Sequence, residues 1–551
     1  MLRIGLMVDS FAVDAWVAKI IADIQASDFA EVSLVVLNTV PPPVRKPLGK
    51  RLKAHWKSTT FVRYSQWDYQ RNKDAEHDSH AEIDVRERLT GVPVLQVEPM
   101  RKGFTDRFKD SDVEAIRAAD LDVIFRFGFR IIRGEVLETA RYGVWSFHHD
   151  DNLEYRGGPP LFWEIFERNP ISGTILQRLT DSLDGGRVLY RGHSSTNFSS
   201  LYLNRNPIYW KTAEYAMRRL RDLHERGWQY IESLATYNEP NTYSRGIYHS
   251  PDTVKMAAFL SRKVGRSLRG KLRAATGKVR PQWFVALRRR TEGHAFDDVT
   301  GYRIVKPPAD RFYADPFLLE KDGKTFLYLE DFRYAEGRAL ISCAELKENG
   351  ELGEIVEVLR RPYHLSYPFV FEHGGEVYMI PETMDNQTIE LYRAEQFPYK
   401  WTLEAVLMEG IHAADTTIFE RDGMFWMFTS LSNGMYSNND ELAIFYARSL
   451  KGPWTAHAKN PVISDVRRAR PAGPLFYDNG RLIRPSQDCG KAYGYALNFS
   501  EVVTLNEKDY EERAVGRIEP AWVKGNLGTH AYSRSSRFEV IDGNFSIKPR
   551  F

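Results

Sequence analysis

A histidine and an aspartate in the first third of the chain have the spacing expected of a proton-transfer site. His148 follows an apolar run at 144–147, and Asp184 follows a second apolar run at 175–179. A carboxylate that orients an imidazole also stabilises its charged form, so the pair can accept and return a proton. Two such residues alone are more often a surface histidine and an ordinary Asp-Gly turn, so the surrounding residues must decide.

The apolar runs around these residues predict an α/β sheet. Helical spacing covers 12–26 and 111–119, with Ser111 as the expected N-cap and Glu114 as its capping-box partner. Strand character is found at 2–8, 32–37, 94–97, 121–129 and 144–147. This alternation favours a mostly parallel sheet with helices on both faces. His148 would then lie at the C-terminal end of a strand, where open α/β sheets build their sites.

Five motifs around His148 resemble the folate-dependent formyltransferases, the family that includes methionyl-tRNA formyltransferase and the sugar N-formyltransferases. In chain order they are Ser146-Phe147-His148, Tyr155-Arg156-Gly157, Pro160-Leu161-Phe162-Trp163, Ser172-Gly173-Thr174-Ile175 and Leu183-Asp184-Gly185-Gly186. The resemblance covers about residues 1–200. It implies a Rossmann-type α/β domain, formyl transfer to an amine and 10-formyltetrahydrofolate as the formyl donor.

The resemblance also implies a role for each matching residue. His148 would take the proton, Asp184 would orient His148, and Ser146 with nearby donors would hold the oxyanion. Contacts to the folate are implied for Arg126, Phe127, Gly128, Phe129, Leu179 and Asp181, and contacts to the acceptor for Tyr155, Arg156 and Trp163. Ser146 stands where the family has asparagine, and a hydroxyl offers one donor where an amide offers two. The fold and the folate site are therefore better supported than catalytic competence.

Composition bounds the class of protein. A chain of 551 residues with 43% hydrophobic and 27% charged residues is typical of a soluble globular protein of two or three domains. The net charge of +3 argues against a nucleic-acid binder, and two cysteines suit a reducing compartment. No signal peptide, membrane span or metal site is predicted, and a cytoplasmic location is expected.

A basic connector separates two predicted domains. The predicted boundaries are 1–205 for the formyltransferase-like domain, 206–280 for the connector and 281–551 for the remainder. Residues 209–231 have helical spacing, and 253–278 carry eight lysines and arginines with no acidic residue between Lys255 and Lys278. Such a segment either contacts an anionic membrane surface or phosphates, or is the solvated face of a connecting helix.

The last 250 residues contain a repeat of about 50 residues. Each copy is an apolar strand, a tight turn and a second apolar strand, with turns at Asp322-Gly323, Gly374-Gly375, Asp422-Gly423 and Asn479-Gly480. A weaker fifth copy covers 529–543. Five units of this size predict an all-β five-bladed propeller.

This half resembles the five-bladed propellers of glycoside hydrolase family 43. Asp315 matches the family's base and Asp415 the aspartate that tunes the acid, whereas Ala472 stands where the family has its glutamic acid. Because glycoside hydrolysis needs two carboxyl groups, a binding role is expected, with Asp315, Glu382 and Asp415 contacting sugar. Alternative acids at the ends of second strands are Glu330, Asp331, Glu382 and Asp488.

The sequence therefore predicts a transferase that formylates an amine, most simply on an amino sugar of a surface-glycan precursor carried by a nucleotide or a lipid. Three alternatives remain at this point. The propeller could cleave or transfer glycosyl groups, the chain could bind glycans without catalysis, or a tRNA acceptor could use the basic connector. The oligomeric state is not predicted.

Overall fold

The structure is a computed structural model that describes residues 1–40, 48–181, 186–236, 243, 245–275, 280–291 and 293–547. Of these, the side chains at 48–58, 236 and 272–275 lie outside the description. Asp184, with Leu183 and Gly185 of its motif, also lies outside the described residues. The chain divides into two compact units, Met1–Gly265 and Arg266–Phe551.

The first unit alternates strands and helices. Its strands are β1 (Leu2–Val8), β2 (Ala12–Asp14), β3 (Ala30–Asn38), β4 (Glu82–Asp84), β5 (Val94–Val97), β6 (Met100–Lys102), β7 (Thr105–Arg107), β8 (Val123–Arg126), β9 (Ile131–Ile132), β10 (Val144–His148), β11 (Ile171–Arg178) and β12 (Arg187–Ser195). Its helices are α1 (Ala15–Ala26), α2 (Leu48–Asn72), α3 (Asp110–Ala118), α4 (Trp163–Glu167), α5 (Leu201–Thr236) and α6 (Thr253–Ala275), the last of which continues past Gly265 into the second unit. Helix α5 is interrupted at Gly227, which has a φ of 77°.

A seven-stranded sheet organises this unit, in the order β12-β11-β10-β8-β1-β3-β5. The five strands from β10 to β5 are parallel, and β11 and β12 are antiparallel. On one face, Ile116 of α3 belongs to a buried cluster with Met7, Val36 and Ile124. Phe147 meets Trp16 of α1 at 5.2 Å between ring centroids. The mostly parallel sheet predicted from the sequence is confirmed in these residues.

Two local predictions in this unit are wrong. Helix α1 begins at Ala15 instead of 12, because Ala12–Asp14 pairs as a strand with Glu82–Asp84. Helix α3 begins at Asp110 with Lys109 at the N-cap and no side-chain cap, so Ser111 is inside the first turn and forms no capping box. The first turn carries Asp110 and Asp112, which favour the positive end of the helix dipole.

The second unit is built from β-strands. In chain order they are β13 (Arg280–Arg289), β14 (Arg303–Val305), β15 (Arg311–Lys321), β16 (Lys324–Arg333), β17 (Arg338–Leu346), β18 (Val356–Leu359), β19 (Ser366–His373), β20 (Glu376–Thr383), β21 (Thr388–Gln396), β22 (Lys400–Glu409), β23 (His412–Arg421), β24 (Met424–Ser432), β25 (Glu441–Ala447), β26 (Thr455–Ala456), β27 (Ile463–Ser464), β28 (Phe476–Asp478), β29 (Arg481–Asp488), β30 (Ala496–Leu505), β31 (Tyr510–Ile518), β32 (Tyr532–Arg534) and β33 (Phe538–Ile547).

These strands form five antiparallel sheets among the described residues. Sheet 1 contains β15–β18, sheet 2 β19–β22, sheet 3 β23–β27 and sheet 4 β28–β31. Sheet 5 has the order β14-β13-β33-β32, so it joins the first and last strands of the unit. The fifth copy of the repeat was thus predicted only in part, because half of its sheet comes from residues before the first copy.

All four predicted hairpin turns are confirmed. Both central residues have positive φ in each turn, for example 50° at Asp322 and 74° at Gly323. This is the backbone of a two-residue hairpin turn whose twist matches that of the flanking strands. The Asp-Gly, Gly-Gly and Asn-Gly pairs therefore fix the register of four sheets.

The sheets pack on one another in cyclic order. Buried clusters join sheets 1 to 3, sheet 3 to sheet 4 and sheet 4 to sheet 5. A further cluster joins sheet 5 back to sheet 1, through Val285 and Val540 against Leu327. This closed order agrees with the predicted five-bladed propeller. Cys343 and Cys489 are separate buried thiols, as expected.

Among the described residues, no helix is both long enough and apolar enough to cross a bilayer.

Candidate functional site

His148 and Arg126 border one cavity in the first unit. They end the adjacent parallel strands β10 and β8, so the sheet places both at its C-terminal edge. The cavity has a volume of about 80 Å³ and is lined by Arg126, Ile131, Ile132, Phe147, His148, Gln177, Leu179, Thr180, Asp181 and Gly186. Four of the residues predicted for catalysis or folate binding therefore meet at this place.

Among the described residues, the imidazole of His148 has one hydrogen-bond partner. Its Nε2 lies 3.1 Å from the backbone carbonyl oxygen of Tyr155. A carbonyl oxygen only accepts hydrogen bonds, so Nε2 donates to it, and in the neutral imidazole Nδ1 keeps its lone pair. The structure thus prepares Nδ1 as the basic nitrogen. Asp184, expected to orient this ring, lies outside the described residues.

Ser146 on β10 is paired with Arg126 on the adjacent strand β8. Its side chain lies on the same face of β10 as that of His148. The serine is buried, and its Oγ accepts a hydrogen bond of 3.1 Å from Arg126 Nε. Arg126 Nη1 donates to the carbonyl oxygens of Phe129 at 3.3 Å and Arg130 at 2.8 Å. These bonds hold a permanent positive charge at the cavity wall, while Ser146 is not among the described lining residues.

The loop after β8 is fastened to the end of β1. Phe127 and Gly128 both donate their backbone N–H to Met7 O at 2.9 Å. Phe129, with a φ of 65°, donates its N–H to Asp9 Oδ1 at 2.9 Å. A Cβ on Gly128 would lie 2.5 Å from the backbone nitrogen of Asp9, which explains the glycine. Asp9 is thus a positioning residue that the sequence analysis missed.

Leu179 and Asp181 complete the predicted folate contacts. Leu179 N–H donates to Val144 O at 2.8 Å, and Asp181 Oδ1 accepts from the N–H of Gly134 at 3.1 Å. Both residues line the cavity. Of the predicted folate set, Arg126, Leu179 and Asp181 line the cavity, while Phe127, Gly128 and Phe129 shape its loop.

The three residues expected to contact the acceptor make internal contacts. Tyr155 is buried and donates from its hydroxyl to Glu167 Oε2 at 3.2 Å. Arg156 Nε donates to Asn152 O at 2.9 Å. Trp163 Nε1 donates to Gly158 O at 3.1 Å. None of the three is a described lining residue of the cavity, and contact with an acceptor stays a prediction.

Asp150 and Asp151, which follow β10, belong to a largely buried polar cluster. Burial alone would raise the pKa of Asp151, but His193, at 3.1 Å, and the contacting Arg191 hold it well below its usual range. A Cβ on Gly173 would lie 2.6 Å from the Asp151 Cβ. Burial raises the pKa of Glu164, beside Asp150, to about 8. This cluster braces β11 and β12 and does not line the cavity.

In the second unit, equivalent positions of four sheets converge. Asp315, Tyr367, Asp415 and Gly473 all have positive φ, and the first three lie at β-bulges in the first strand of their sheets. Tyr367 donates its N–H to Asp315 Oδ2 at 3.2 Å. Its hydroxyl oxygen accepts from Gly473 N–H at 2.6 Å and lies 3.0 Å from Thr417 Oγ1. The repeat therefore brings Asp315 and Asp415 toward one centre, as the sequence predicts.

An arginine that was not predicted from the sequence forms an ion pair with Asp415. Arg470 donates to both carboxylate oxygens, at 2.6 and 3.1 Å, and Gln487 Nε2 adds a bond of 2.8 Å. Asp415 is 2% exposed. Ala472 is buried, and a Cβ on Gly473 would lie 1.9 Å from Tyr532 O. The hydrolase acid is thus absent from its position, and its usual partner is held in an ion pair.

Asp315 lies among other ionisable groups. Burial raises the pKa of Asp315 to about 7. The protonated form of His530 opposes this shift, whereas the charges of Asp415 and Asp542 add to it. His530 Nδ1 is 3.7 Å from Asp315 Oδ1 and 2.5 Å from Asp542 Oδ2. The ligand atoms of Asp315, His530 and Asp542 all lie within 4.8 Å of one another, an arrangement that suits a cation. The absence of a metal site stays a prediction from the sequence.

Two of the four alternative acids join this centre. Burial raises the pKa of Glu382 to about 7, and Glu382 accepts from Ser366 Oγ at 3.0 Å. Burial and the charge of Asp315 raise the pKa of Glu330 well above its usual range. Asp331 instead contacts Arg311 at 3.2 Å, and Asp488 contacts Arg517 at 2.9 Å. We call Asp315, Glu330, Glu382, Asp415 and Asp542 the carboxyl centre.

Comparison with known proteins adds a family that the sequence analysis did not anticipate. Residues 304–539, less than half of the chain, match the family model described as "Glucosamine inositolphosphorylceramide transferase 1, N-terminal". Glucosamine inositolphosphorylceramide transferase 1 from Oryza sativa subsp. japonica is 36% identical to this chain over 205 residues. The match covers 36% of this chain and 27% of the relative. The Arabidopsis thaliana protein is 35% identical with the same coverage. The chain thus spans about a quarter of their length.

The formyltransferase resemblance is also found. Methionyl-tRNA formyltransferase from Synechococcus sp. (strain WH7803) is 27% identical over 182 residues, covering 33% of this chain and 50% of the relative. The relatives of both kinds are transferases. Among solved structures, an exo-β-1,3-galactanase from Clostridium thermocellum has a TM-score of 0.32 at 14% identity, covering 37% of this chain and 49% of its own. Glycinamide ribonucleotide transformylase 1 from Symbiobacterium toebii has a TM-score of 0.23 at 14% identity, covering 43% and 87%.

Proposed function

We propose that this chain transfers a formyl group to the amine of an amino sugar in a glycan precursor, with 10-formyltetrahydrofolate as the formyl donor. The observation that carries the proposal is the shared cavity of His148 and Arg126 at the ends of β10 and β8. The similarity to methionyl-tRNA formyltransferase supports it. We place this activity in the cytoplasm, which suits the two buried thiols Cys343 and Cys489.

The chemical character of the cavity walls supports the proposed donor. Ile131, Ile132, Phe147 and Leu179 offer apolar surface, while Gln177 and Asp181 offer hydrogen-bonding groups. Flat heterocycles are bound by this combination of apolar walls and a few polar groups. The donor would supply a pterin ring for these walls and a transferable formyl group.

His148 and Arg126 divide the chemistry. The amine nitrogen of the acceptor bonds to the formyl carbon and loses a proton, which His148 accepts at Nδ1. Arg126 stabilises the negative charge that develops on the formyl oxygen. Ser146 acts through Arg126, because its Oγ accepts the bond from Arg126 Nε. The bond between the formyl carbon and the donor's nitrogen would then break, and His148 would give the proton to that nitrogen, so bonds and charges balance.

We propose that the second unit binds the carbohydrate part of the acceptor without cleaving it. Ala472 and the ion pair of Arg470 with Asp415 support this role. The name of the plant relatives includes glucosamine, an amino sugar, and a phosphorylceramide lipid. Among the predicted sugar contacts Asp315, Glu382 and Asp415, we place Glu382 first because it is the most exposed, at 9%.

A second candidate function is glycosyl transfer or hydrolysis by the carboxyl centre. Glu382, with its pKa raised to about 7, can hold a proton near neutral pH; burial contributes most to this raised pKa and the charge of Asp415 next. Pairs of carboxyl groups with separated pKa values serve as acid and base in glycosidases. Cleavage of aryl glycosides, lost in Glu382→Gln and kept in His148→Ala, would select this function over formyl transfer.

The experiment that tests the first proposal is a formylation assay. Purified chain is incubated with 10-formyltetrahydrofolate and with free, nucleotide-linked and lipid-linked amino sugars, and products are analysed by mass spectrometry. A product heavier by one CO unit supports the proposal. Reduced-folate or sugar binding without any product would support a glycan-binding protein instead.

A further inference from the structure

Helix α6 has one face packed against the first unit and one face exposed. Met256 and Phe259 are buried in a cluster with Phe61 and Tyr64 of α2. On the other side of the helix, Val254 is 79% exposed, Val264 57% and Leu268 56%. At 100° per residue these three residues form a single stripe with Ala257 and Ser261, directed away from Met256 and Phe259.

Basic residues border this apolar stripe. The helix contains Lys255, Arg262, Lys263, Arg266, Arg269, Lys271 and Arg273, and its sequence has no aspartate or glutamate. At the same helical spacing, Lys255, Arg262, Arg266 and Arg269 follow one border of the stripe, and Lys271 lies on the other. The ammonium nitrogen of Lys255 and the guanidinium carbon of Arg262 lie over the rings of Trp163 and Phe166, at 5.4 and 5.7 Å from the ring centroids, so these cations have defined positions along the helix.

Solvated helices carry both signs of charge and few large exposed apolar side chains. Helix α6 instead carries only positive charge and exposes Val254, Val264 and Leu268. An exposed apolar stripe between rows of cations matches the boundary between acyl chains and anionic headgroups, where apolar side chains enter and cations meet phosphates. We propose that α6 docks the protein on the surface of an anionic bilayer, lying in the plane of the interface.

The proposed docking surface also indicates which form of the acceptor the protein uses. A protein held at a bilayer meets lipid-linked glycan precursors at high local concentration, so the docking helix favours the lipid-linked amino sugar over the nucleotide-linked one. That consequence rests on the proposed formyl transfer, while the docking itself stands on α6 alone. Membrane binding and catalysis are therefore measured separately.

Vesicle flotation of the full chain tests the docking. The vesicles are phosphatidylcholine alone and phosphatidylcholine with roughly 30% phosphatidylserine. We expect binding only to the anionic vesicles, and a loss of at least about tenfold in Arg262→Glu/Arg269→Glu, because each cation near such a surface contributes about fivefold. Val264→Asp/Leu268→Asp should abolish flotation, and thermal unfolding checks that every variant is folded.

The matched control is Lys306→Glu/Lys508→Glu, which makes the same charge change at two exposed residues of the second unit. It should float like the unmodified chain. Equal binding to neutral and anionic vesicles, no flotation at all, or flotation that survives both α6 variants would overturn the proposal. Flotation that survives only Val264→Asp/Leu268→Asp, together with tRNA binding lost in Arg262→Glu/Arg269→Glu, would overturn it in favour of a nucleic-acid surface.

Discussion

Arg470 binds both carboxylate oxygens of Asp415 through Nε and Nη2, at 2.6 and 3.1 Å. Asp415 lies on β23 and Arg470 in the segment between β27 and β28; both side chains are almost fully buried, and 55 residues separate them in sequence. Two residues after Arg470, Ala472 occupies the position of the hydrolase acid. The ion pair thus occupies both oxygens of the carboxylate that the sequence resemblance matched to the aspartate that tunes the hydrolase acid.

Removing Arg470 should destabilise the protein strongly. Arg470→Ala leaves Asp415 buried with one fewer cation, and breaking a buried ion pair costs about 3–5 kcal/mol. The measurement is the free energy of unfolding in urea. The control is Arg513→Ala, which breaks an exposed pair with Glu501 at 2.8 Å and should cost less than about 1 kcal/mol. Equal effects of the two substitutions would contradict the role of the ion pair.

Stability should fall as pH rises from about 4 to about 7. Burial raises the pKa of Asp315 and Glu382 to about 7, whereas an unfolded carboxyl titrates near pH 4. Between these values the folded chain holds protons that the unfolded chain has released, so the free energy of unfolding decreases with pH. Burial alone would lower the pKa of His530, but Asp542 and Asp315 raise it. Its contribution is likewise lost as pH rises through the raised pKa.

Urea unfolding at several pH values checks this dependence. Asp315→Asn and Glu382→Gln should each flatten the decrease between pH 5 and 7, by about one proton's contribution at most. Asp422→Asn, at an exposed hairpin turn, removes a carboxyl of the same type and should leave the slope unchanged. A slope that rises over this interval, or that Asp315→Asn and Glu382→Gln leave as steep as before, would show that these carboxyls are ionised in the folded chain.

Gly128 should tolerate no side chain. In Gly128→Ala the new Cβ would lie 2.5 Å from the backbone nitrogen of Asp9, and crowding of this kind costs typically about 1–3 kcal/mol. Because the loop carries Phe129 and Arg130, whose carbonyls hold Arg126, reduced-folate affinity should fall as well. Gly246→Ala, where a Cβ meets no atom within 4 Å, is the control. Unchanged stability and folate affinity in Gly128→Ala would remove the loop from the proposed site.

The parts of the fold that depend on local chemistry could be predicted from the sequence. The Asp-Gly, Gly-Gly and Asn-Gly pairs are typical of turns with positive φ, so four hairpins and their period were evident. The pairing of β13 with β33 could not be predicted, because strands at opposite ends of the unit share no local pattern. Helix α1 starts late because its expected first turn is used in a strand pair with Glu82–Asp84.

The candidate site shows the same division. His148 was predicted at the end of a strand, whereas Arg126 was placed within the run 121–129 and was named only as a folate contact that the family resemblance implies. Arg470 and Gln487 escaped because their partner Asp415 lies 55 and 72 residues away, and nothing near them in sequence marks a buried cation. The Asp9 contact with the loop after β8 escaped for the same reason, with 120 residues between donor and acceptor.

Ser146→Asn would restore the family residue beside Arg126. The larger amide adds a second donor at the strand end, so formyl transfer should be maintained or increased, provided Arg126 stays in place. Steady-state rates and reduced-folate affinity are measured together. Loss of the rate with unchanged folate affinity would mean that Ser146, through its bond to Arg126, has a role that asparagine cannot fill.

The most direct test of the proposed formyl transfer compares the unmodified chain with His148→Ala in the formylation assay. We expect the unmodified chain to add one formyl group to the amine of an amino-sugar acceptor. His148→Ala should lower the rate by about 10²- to 10⁴-fold and leave the affinity for 5-formyltetrahydrofolate nearly unchanged. His77→Ala, at an exposed histidine, should match the unmodified chain. No formylated product from any acceptor, or a rate that His148→Ala leaves intact, would contradict the account.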